Sequence, residues 1–234
     1  MDFALSEEQD AIFDMARAFG EAEIAPHAQA WDKAGEIPKD LWPKLAELGF
    51  GGLYVSETAG GSGLTRLDAT LVFEALSRSC ASVAAFLSIH NMCARMLESY
   101  ADEALRDRLL PPALRMEIFL SYCLTEPGSG SDAAALKTKA LRTNEGFELT
   151  GTKAFISGGG YSDAYIVMAR TGEDGPRGIS AIVVEDGAPG LSFGGLEDKM
   201  GWRSQPTRQG QVRACKGAAG NLLGEGSHRV RLAM

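Results

Sequence analysis

The stretch YCLTEPGSGSD, residues 122–132, joins an apolar run to a loop of glycines and hydroxyl side chains. Gly128 and Gly130 allow the backbone to approach a flat or anionic ligand, and the neighbouring hydroxyls can donate hydrogen bonds to it. The same composition is also typical of an ordinary surface turn. The stretch therefore predicts either a cofactor cradle or a turn, and the sequence on either side must decide the fold around it.

A second stretch, GTKAFISGGG at residues 151–160, ends a strand-like run with Phe155, Ile156 and Ser157, just before three glycines. An aromatic side chain at the end of a strand can cover the face of a conjugated ring. An aromatic side chain in a strand is also ordinary core material. Both interpretations stay open on this stretch alone.

The half of the chain that holds both stretches, residues 115–222, consists of short apolar or alternating runs separated by turn residues. Runs of this kind predict strands joined by hairpins, and so an antiparallel sheet. The runs are EIFLSYCL (117–124), FELTGTKAFIS (147–157), DAYIVMAR (163–170) and GISAIVVE (178–185).

Residues 1–114 carry apolar side chains at helical spacing and predict a small helical bundle. SEEQ at residues 6–9 has the form of a capping box, and the pattern after it predicts one amphipathic helix that ends at Pro26. A last short helix is predicted over residues 102–110, closed by two prolines. Further helix signals are Pro38 and Gly49 at the ends of a second helix and Thr65 and Asp68 at the start of a third.

The composition limits the classes of partner and compartment. The chain has 234 residues, a formal net charge of -8 and a pI near 5.0, which argues against nucleic acid or anionic lipid as a main partner. No run reaches the length of a membrane span, and no cleavable apolar leader precedes Phe3. The cysteines and histidines lack disulfide or metal-ligand spacing, so we expect no metal and reduced thiols in a cytoplasmic or mitochondrial-matrix protein that is not secreted.

Residues 128–133 also match G-x-G-x-x-A formally, and Glu148 follows about 20 residues later, which is the pattern of a nicotinamide-dinucleotide site. A Rossmann unit continues with a crossover helix and a parallel strand. Here the chain continues into GFELTG at residues 146–151, which favours a hairpin. The alanines at 133–135 have helix propensity, so a nicotinamide-dependent reductase stays a weaker alternative.

Several motifs in this order resemble the acyl-CoA dehydrogenase family. The similar segments cover nearly the whole chain, and their spacing makes the resemblance specific where any one motif would not. They are FALSEEQDAIFDMARAF (3–19), GGSGLTRLDA (60–69), YCLTEPGSGSDAA (122–134), LTGTKAFISGG (149–159) and DKMGWRSQPTR (198–208).

The resemblance implies an α+β multidomain fold. Its N-terminal all-α helical domain would occupy residues 1–114, and an antiparallel β-barrel-like middle domain would occupy residues 115–222. Residues 223–234 would begin the linker to a C-terminal four-helix domain. FAD would be bound between the middle and C-terminal domains.

The resemblance also assigns roles to residues in the two stretches. One group would line the flavin and its pyrophosphate: Tyr122, Leu124, Thr125, Gly130 and Ser131. A second group would pack on the isoalloxazine ring or hydrogen-bond to it: Phe155, Ile156 and Ser157. Ser131 would also touch the acyl-CoA. Many relatives have Trp where Phe155 stands, and Phe keeps the stacking surface but loses the indole donor.

The implied reaction is FAD-dependent α,β-dehydrogenation of an acyl-CoA thioester, with electrons passed to an electron-transferring flavoprotein. PRGISAIVVEDGAPGLSFG at residues 176–194 is most similar to short branched-chain members, which implies a substrate like isobutyryl-CoA and a place in valine and fatty acid catabolism. Complete members form homo-oligomers, typically tetramers. A non-catalytic remnant that binds flavin or CoA is the alternative within the same fold.

The sequence departs from the family pattern in two places. The family's catalytic glutamate lies in the C-terminal domain, so the resemblance assigns no catalytic base within this chain, and Glu126 is interpreted as a turn residue. GQVRACKGAAG at residues 210–220 carries Arg213, Lys216 and Gly217 where apolar or acidic residues usually stand. This segment suggests a disturbed reading frame or a shortened chain, and it predicts a poorly formed last strand.

Overall fold

The computed structural model describes residues 4–224, and within that range the first half of the chain is helical. Three of its helices begin at a residue whose side chain caps the first turn, namely Ser6, Thr65 and Asp102, and apolar side chains that recur along the helices are buried in the core. The helices are α1 Glu7–Phe19, α2 Ala25–Ala34, α3 Leu41–Glu47, α4 Arg66–Ser79, α5 Ala81–Tyr100 and α6 Glu103–Leu114.

The predicted caps are confirmed. Ser6 Oγ accepts the Gln9 amide at 3.2 Å while Gln9 Oε1 accepts the Ser6 amide at 3.1 Å, which is the reciprocal pair of a capping box. Thr65 and Asp68 make the same pair at the start of α4.

Three helix ends predicted from prolines are wrong. The predicted start at Pro38 is one of them, because α3 begins only at Leu41. Pro26 lies in the first turn of α2, where its missing N–H breaks no helical bond, and a single π-helical turn over Gly20–Ile24 joins α1 to α2. Pro111 and Pro112 lie inside α6 and do not close it, because their carbonyls still accept the amides of Arg115 and Glu117 at 3.3 and 2.9 Å.

The second half of the chain forms one eight-stranded sheet among the described residues. Its path is β6-β7-β3-β2-β4-β5-β8, and β1 pairs with β4 beside that path. The strands are β1 Leu120–Cys123, β2 Lys139–Arg142, β3 Gly146–Ser157, β4 Ala164–Arg170, β5 Ile179–Glu185, β6 Leu191–Leu196, β7 Thr207–Ala218 and β8 Leu222–Leu223.

The sheet is open and ends at β6 and β8, so the barrel-like form expected for this half is corrected. It is also mixed: β1 runs parallel to β4, while β2 and β3 form the predicted antiparallel hairpin. Local alternation predicts strands and hairpins, but closure depends on pairing between distant strands and leaves no local pattern.

The strand predicted to be poorly formed, β7, pairs with β3 and with β6. Val212 and Cys215 point into the core, whereas Arg213 and Lys216 are exposed, so the charges that depart from the family pattern need not be buried. A bulge at Ala214, whose φ is 49°, keeps the buried positions in register. The strand β7 is therefore formed and paired on both sides, and its irregularity at Ala214 is confined to one bulge in the segment that departs from the family pattern.

Helices and sheet share their core. Side chains of α5 and α6 pack against β4 and β5, and a separate cluster fills the opposite face of the sheet. The turn between β3 and β4 docks on the helices through Tyr161, whose hydroxyl accepts the indole N–H of Trp42 at 2.8 Å and whose ring stacks on Phe119 at 5.4 Å. This contact holds the end of β3 in place.

The domain bounds at residues 1–114, 115–222 and 223–234 stay a prediction, and residues 225–234, with His228, lie outside the described range. In the part of the chain that the structure describes, no helix combines the length and apolar character needed to cross a membrane. The same part of the chain contains no cluster of three or more side chains able to hold a metal ion.

Candidate functional site

The two stretches singled out in the sequence lie side by side. The first, called the signature loop, is the chain from Thr125 to Ser131 that follows β1; the second, called the β3 end, is Phe155 to Ser157. The amide of Ala154 donates to the Thr125 carbonyl at 2.8 Å and so joins them directly. The sequence placed both at strand ends, and the fold brings those ends together.

Further contacts hold β1 against β3 on both sides of that hydrogen bond. Ser121 Oγ donates to the Ser157 carbonyl at 2.5 Å and also contacts Ser162 Oγ at 2.7 Å. Lys153 Nζ donates to the Leu124 carbonyl at 3.0 Å. The spacing between the signature loop and the β3 end is therefore fixed by buried polar contacts.

The signature loop begins with a tight turn. Glu126 and Ser129 exchange backbone hydrogen bonds at 2.9 and 3.1 Å, and Ser129 Oγ donates to the Asp132 carbonyl at 2.7 Å. Ser129, expected to donate to a ligand, instead stabilises its own loop. Part of the stretch is thus a turn, as the alternative interpretation held, and Gly130 and Ser131 are exposed beyond it.

The glycines of this turn face open space. A Cβ atom built on Gly128 or on Gly130 would have no heavy atom within 4 Å among the described residues. Neither residue has the positive φ that requires glycine. No local packing or backbone reason calls for glycine at these two positions, and this fits a loop that a ligand approaches closely.

Tyr122 carries a buried hydroxyl, and among residues 4–224 no hydrogen-bond partner is found for it. Burial raises the pKa of Tyr122 above its ordinary value, so the hydroxyl keeps its proton and remains a donor. A buried polar group without a partner is destabilising. A ligand acceptor that reached this hydroxyl would remove that cost. After the open glycines, the unpaired hydroxyl is the second feature that fits a bound cofactor.

Phe155 is held in an unusual backbone conformation with its ring outward. Its φ is 56°, it lies at a bulge between Lys153 and Ile156 in the pairing of β3 with β7, and 66% of the residue is exposed. A large apolar residue held outward in a left-handed conformation costs energy and is typical of a functional position. The ring is thus available for stacking, as expected, and is not core material.

The remaining site residues divide by burial. Ile156 is 1% exposed and packs in the core with Tyr165, so only its backbone can face a ligand. Leu124 is half-buried against the core cluster beneath the helices, while Thr125 and Ser157 are half-buried at the junction of the two segments. The structure therefore brings the predicted residues into one region, with their side chains at different depths.

Glu126 is occupied by hydrogen bonds and is not a free carboxylate. It accepts from the amides of Lys137 and Thr138 at 2.7 and 2.9 Å and from Lys153 Nζ at 2.8 Å. Desolvation raises the pKa of the Glu126 carboxyl, but the three donors outweigh it and hold that pKa below its ordinary value. The carboxylate is a structural acceptor, consistent with its interpretation as a turn residue.

Two features next to the site were not predicted from the sequence. Lys153 is buried beside Glu126, and its position on the same face of β3 as Phe147 and Leu149 was the available signal. Trp202 is 57% exposed with a φ of 57° on the loop that leads into β7, and the motif DKMGWRSQPTR that contains it was the available signal. That loop adjoins the β3 end, because the Gly158 amide donates to the Pro206 carbonyl at 2.7 Å.

The loop after the glycines also bears on the nicotinamide alternative. Between Asp132 and β2 the chain makes a three-residue 3-10 turn, Ala133–Ala135, and β2 then pairs antiparallel with β3. A Rossmann unit requires a crossover helix at this point, and the three-residue turn is too short to supply one. The glycine motif therefore does not form a dinucleotide-binding βαβ unit.

Comparison with known proteins agrees with the motifs. Isobutyryl-CoA dehydrogenase from mitochondria of Bos taurus is 51% identical over 230 residues, which cover 98% of this chain and 55% of that protein. Butyryl-CoA dehydrogenase of Megasphaera elsdenii superimposes with a TM-score of 0.90 at 36% identity, covering 100% of this chain and 62% of that chain. A structure described as the FAD complex of PigA superimposes with a TM-score of 0.92 at 28% identity, covering 99% of this chain and 62% of that chain.

The chain spans about half the length of the curated relatives that it matches. The model of the acyl-CoA dehydrogenase N-terminal domain matches residues 6–117, and the model of the acyl-CoA dehydrogenase middle domain matches residues 121–215. These matches confirm the family and the short branched-chain resemblance predicted from the motifs. On its motifs, its fold and both family models, the chain belongs to the acyl-CoA dehydrogenase family.

Proposed function

We propose that this chain supplies the flavin-facing and acyl-CoA-facing surfaces of an enzyme that dehydrogenates short branched acyl-CoA thioesters between the α- and β-carbons. The observation that carries the proposal is the hydrogen bond from the Ala154 amide to the Thr125 carbonyl, which sets the open glycine loop beside the outward ring of Phe155. The substrate class is supported by the 51% identity to an isobutyryl-CoA dehydrogenase.

In this proposal the signature loop and the β3 end would hold FAD. Backbone groups of Leu124, Thr125 and Gly130 and the hydroxyls of Tyr122 and Ser131 bind it, while Phe155 stacks on the ring beside Ile156 and Ser157. Bound FAD supplies the capacity to accept the hydride that leaves the β-carbon. The chain's residues orient that ring and cover one face from water.

Proton removal from the α-carbon needs a base, and Glu126 is unsuited to that role. Its carboxylate is saturated by three N–H donors and its pKa is lowered, so it binds a substrate proton weakly. We assign no catalytic base within the described residues. Ser131, exposed at the edge of the loop, contacts the acyl-CoA and helps to hold the thioester against the flavin.

The partners in this proposal follow the family resemblance. The electrons leave to an electron-transferring flavoprotein, and the complete enzyme is a homo-oligomer. The acyl-CoA is the small-molecule substrate.

Replacing Phe155 by Ala is expected to weaken FAD binding by about five-fold, because a stacked aromatic contact contributes on the order of 1 kcal/mol. The measurement is a titration of the purified chain with FAD, followed by quenching of flavin fluorescence. Thermal unfolding should change little, since the ring is largely exposed and its loss leaves no cavity.

Leu141→Ala is the matched control, because Leu141 is an exposed apolar residue, 61% accessible, on β2. It should bind FAD like the parent chain. Equal affinities for the parent and the Phe155 variant would contradict the stacking role. No saturable binding by the parent chain would contradict the flavin assignment for this chain.

A second candidate is a flavin- or CoA-binding protein without turnover, and the hydrogen-bonded state of Glu126 favours it. Adding isobutyryl-CoA to the flavin-loaded chain separates the two. Bleaching of the flavin absorption, with transfer to a dye acceptor, supports dehydrogenation. A stable spectrum, with binding retained, supports the second candidate.

A further inference from the structure

The most enclosed charges near the site are Glu126 and Lys153. Only 7% and 3% of their side chains are exposed, and Lys153 Nζ lies 2.8 Å from Glu126 Oε1. Each of these two side chains also makes hydrogen bonds with backbone groups. Glu126 accepts the amides of Lys137 and Thr138, and Lys153 donates to the Leu124 carbonyl at 3.0 Å. One ion pair therefore ties together the end of β1, the start of β2 and the middle of β3.

Stability alone does not explain why these two charges are buried. Moving an ion pair out of water costs about as much as the attraction returns, and well-packed apolar residues at the same place are often equally stable. The contacts that the pair makes with the backbone indicate a positioning role instead. It holds the residues on both sides of Thr125, and the Thr125 carbonyl itself accepts the Ala154 amide next to Phe155.

We propose that Glu126 and Lys153 are positioning residues that set the separation between the signature loop and the β3 end, and so the width of the cofactor site. The identity of the cofactor rests on the proposed function. The fixed separation does not, because it follows from contacts within the chain. With Leu124 and Glu126 both held to Lys153, Thr125 cannot move away from β3 without breaking a buried charged hydrogen bond.

The first test is Lys153→Met, which keeps the aliphatic stem and removes the ammonium. We expect FAD to bind about ten-fold more weakly, the loss that corresponds to one positioning hydrogen bond. The midpoint of thermal unfolding should also fall, because Glu126 stays buried without its partner. Lys216→Met is the matched control, since Lys216 pairs with Glu145 at 3.5 Å with 73% and 83% of the side chains exposed. It should change neither quantity.

The double variant E126Q/K153M separates positioning from charge compensation. Removing both charges should reverse part of the decrease in the unfolding midpoint, but the Leu124 carbonyl still lacks the hydrogen bond from Lys153. The positioning role therefore predicts that FAD affinity stays low in the double variant. Recovery of the FAD affinity together with the unfolding midpoint would overturn the proposal, because each charge of the pair would then serve only to compensate the other.

A measurement without FAD keeps the inference independent of the proposed function. Hydrogen exchange in the cofactor-free chain reports the Ala154 amide, which should exchange faster in Lys153→Met and in the double variant than in the parent. Amides that join β4 to β5 serve as the internal reference and should not change. Unchanged protection at Ala154 in both variants would overturn the positioning role. A parent chain that binds no FAD, with faster exchange at Ala154 in the variants, would contradict only the proposed function.

Discussion

Gly158→Ala is expected to lower the free energy of unfolding by about 3 kcal/mol, as the sum of a backbone cost and a packing cost. Gly158 follows the β3 end directly and has a φ of 77°, where a side chain costs about 1–2 kcal/mol. A Cβ atom would lie 2.4 Å from both Ser121 Oγ and Ser162 Oγ, and 2.8 Å from Phe86. These distances are well inside van der Waals contact, so the surroundings must shift.

The shift would reach the site, because Ser121 Oγ also donates to the Ser157 carbonyl. We therefore expect the variant to lose FAD affinity along with stability. Chemical denaturation with urea, followed by far-ultraviolet circular dichroism, measures the first effect.

Gly187→Ala is the matched control for the backbone cost. Gly187 has a φ of 76°, and among the described residues a Cβ built there has no heavy atom within 4 Å. It should lose only about 1–2 kcal/mol and keep the cofactor affinity of the parent. Equal losses at both glycines would show that the contacts around Gly158 relax freely, and would contradict the packing argument.

The helical half of the fold could be predicted because its signals are local. A capping box at Ser6 and a cap at Thr65 fix where α1 and α4 begin, and each involves residues only three positions apart. Prolines misled the prediction at Pro26 and Pro111. A proline forbids a helical bond to its own nitrogen but leaves its carbonyl free, so its effect depends on the surrounding turns.

The site could be predicted only in outline. Composition identified the signature loop and the β3 end, but their contact depends on β1 pairing with β4 and on the bond between Thr125 and Ala154, which are not neighbours in sequence. The bulge in β3 matters equally. By strict alternation Phe155 would share the buried face of Lys153, and the extra residue turns its ring outward while Ile156 remains buried.

Lys153 shows the limit of residue type as a guide. A lysine in a strand is normally exposed, so type alone predicts a solvated side chain. Its partner Glu126 lies 27 residues earlier in a glycine-rich loop, and a pairing of that kind becomes visible only when both strands are placed. The family resemblance named the residues that are proposed to face a ligand, whereas the buried residues behind them were identified from the structure.

Acidification from pH 7 to pH 4 is expected to remove about 3 kcal/mol of stability through His90 alone. The ring is fully buried on α5, and burial lowers the pKa of His90 to about 4, although contacts with the Ala113 and Gly51 backbone act in the opposite direction. The Leu120 amide donates to His90 Nδ1 at 3.3 Å, so Nε2 carries the proton and donates to the Ala113 carbonyl at 3.0 Å. A second proton on Nδ1 would face that amide.

The loss of stability on acidification follows from the different proton affinities of His90 in the folded and the unfolded chain. The unfolded chain binds a proton at His90 with a pKa near 6.5, whereas the folded chain binds one only near 4. The free energy of unfolding that depends on neutral His90 is therefore complete above pH 6.5. It falls as the pH drops from 6.5 to about 4, and it falls no further below that pH.

His90→Asn tests this directly, because the amide oxygen can replace Nδ1 as the acceptor but the side chain does not titrate. At pH 7 the variant should be about 1–3 kcal/mol less stable, since the Ala113 carbonyl loses its donor. Between pH 7 and pH 4 it should lose about 3 kcal/mol less than the parent, so the two stability curves converge as the pH falls. His27→Asn, at an exposed position of α2, makes the same exchange as a control and should follow the parent curve. Parallel curves for the parent and the His90 variant would mean that His90 is not the buried neutral link between α5, α6 and β1.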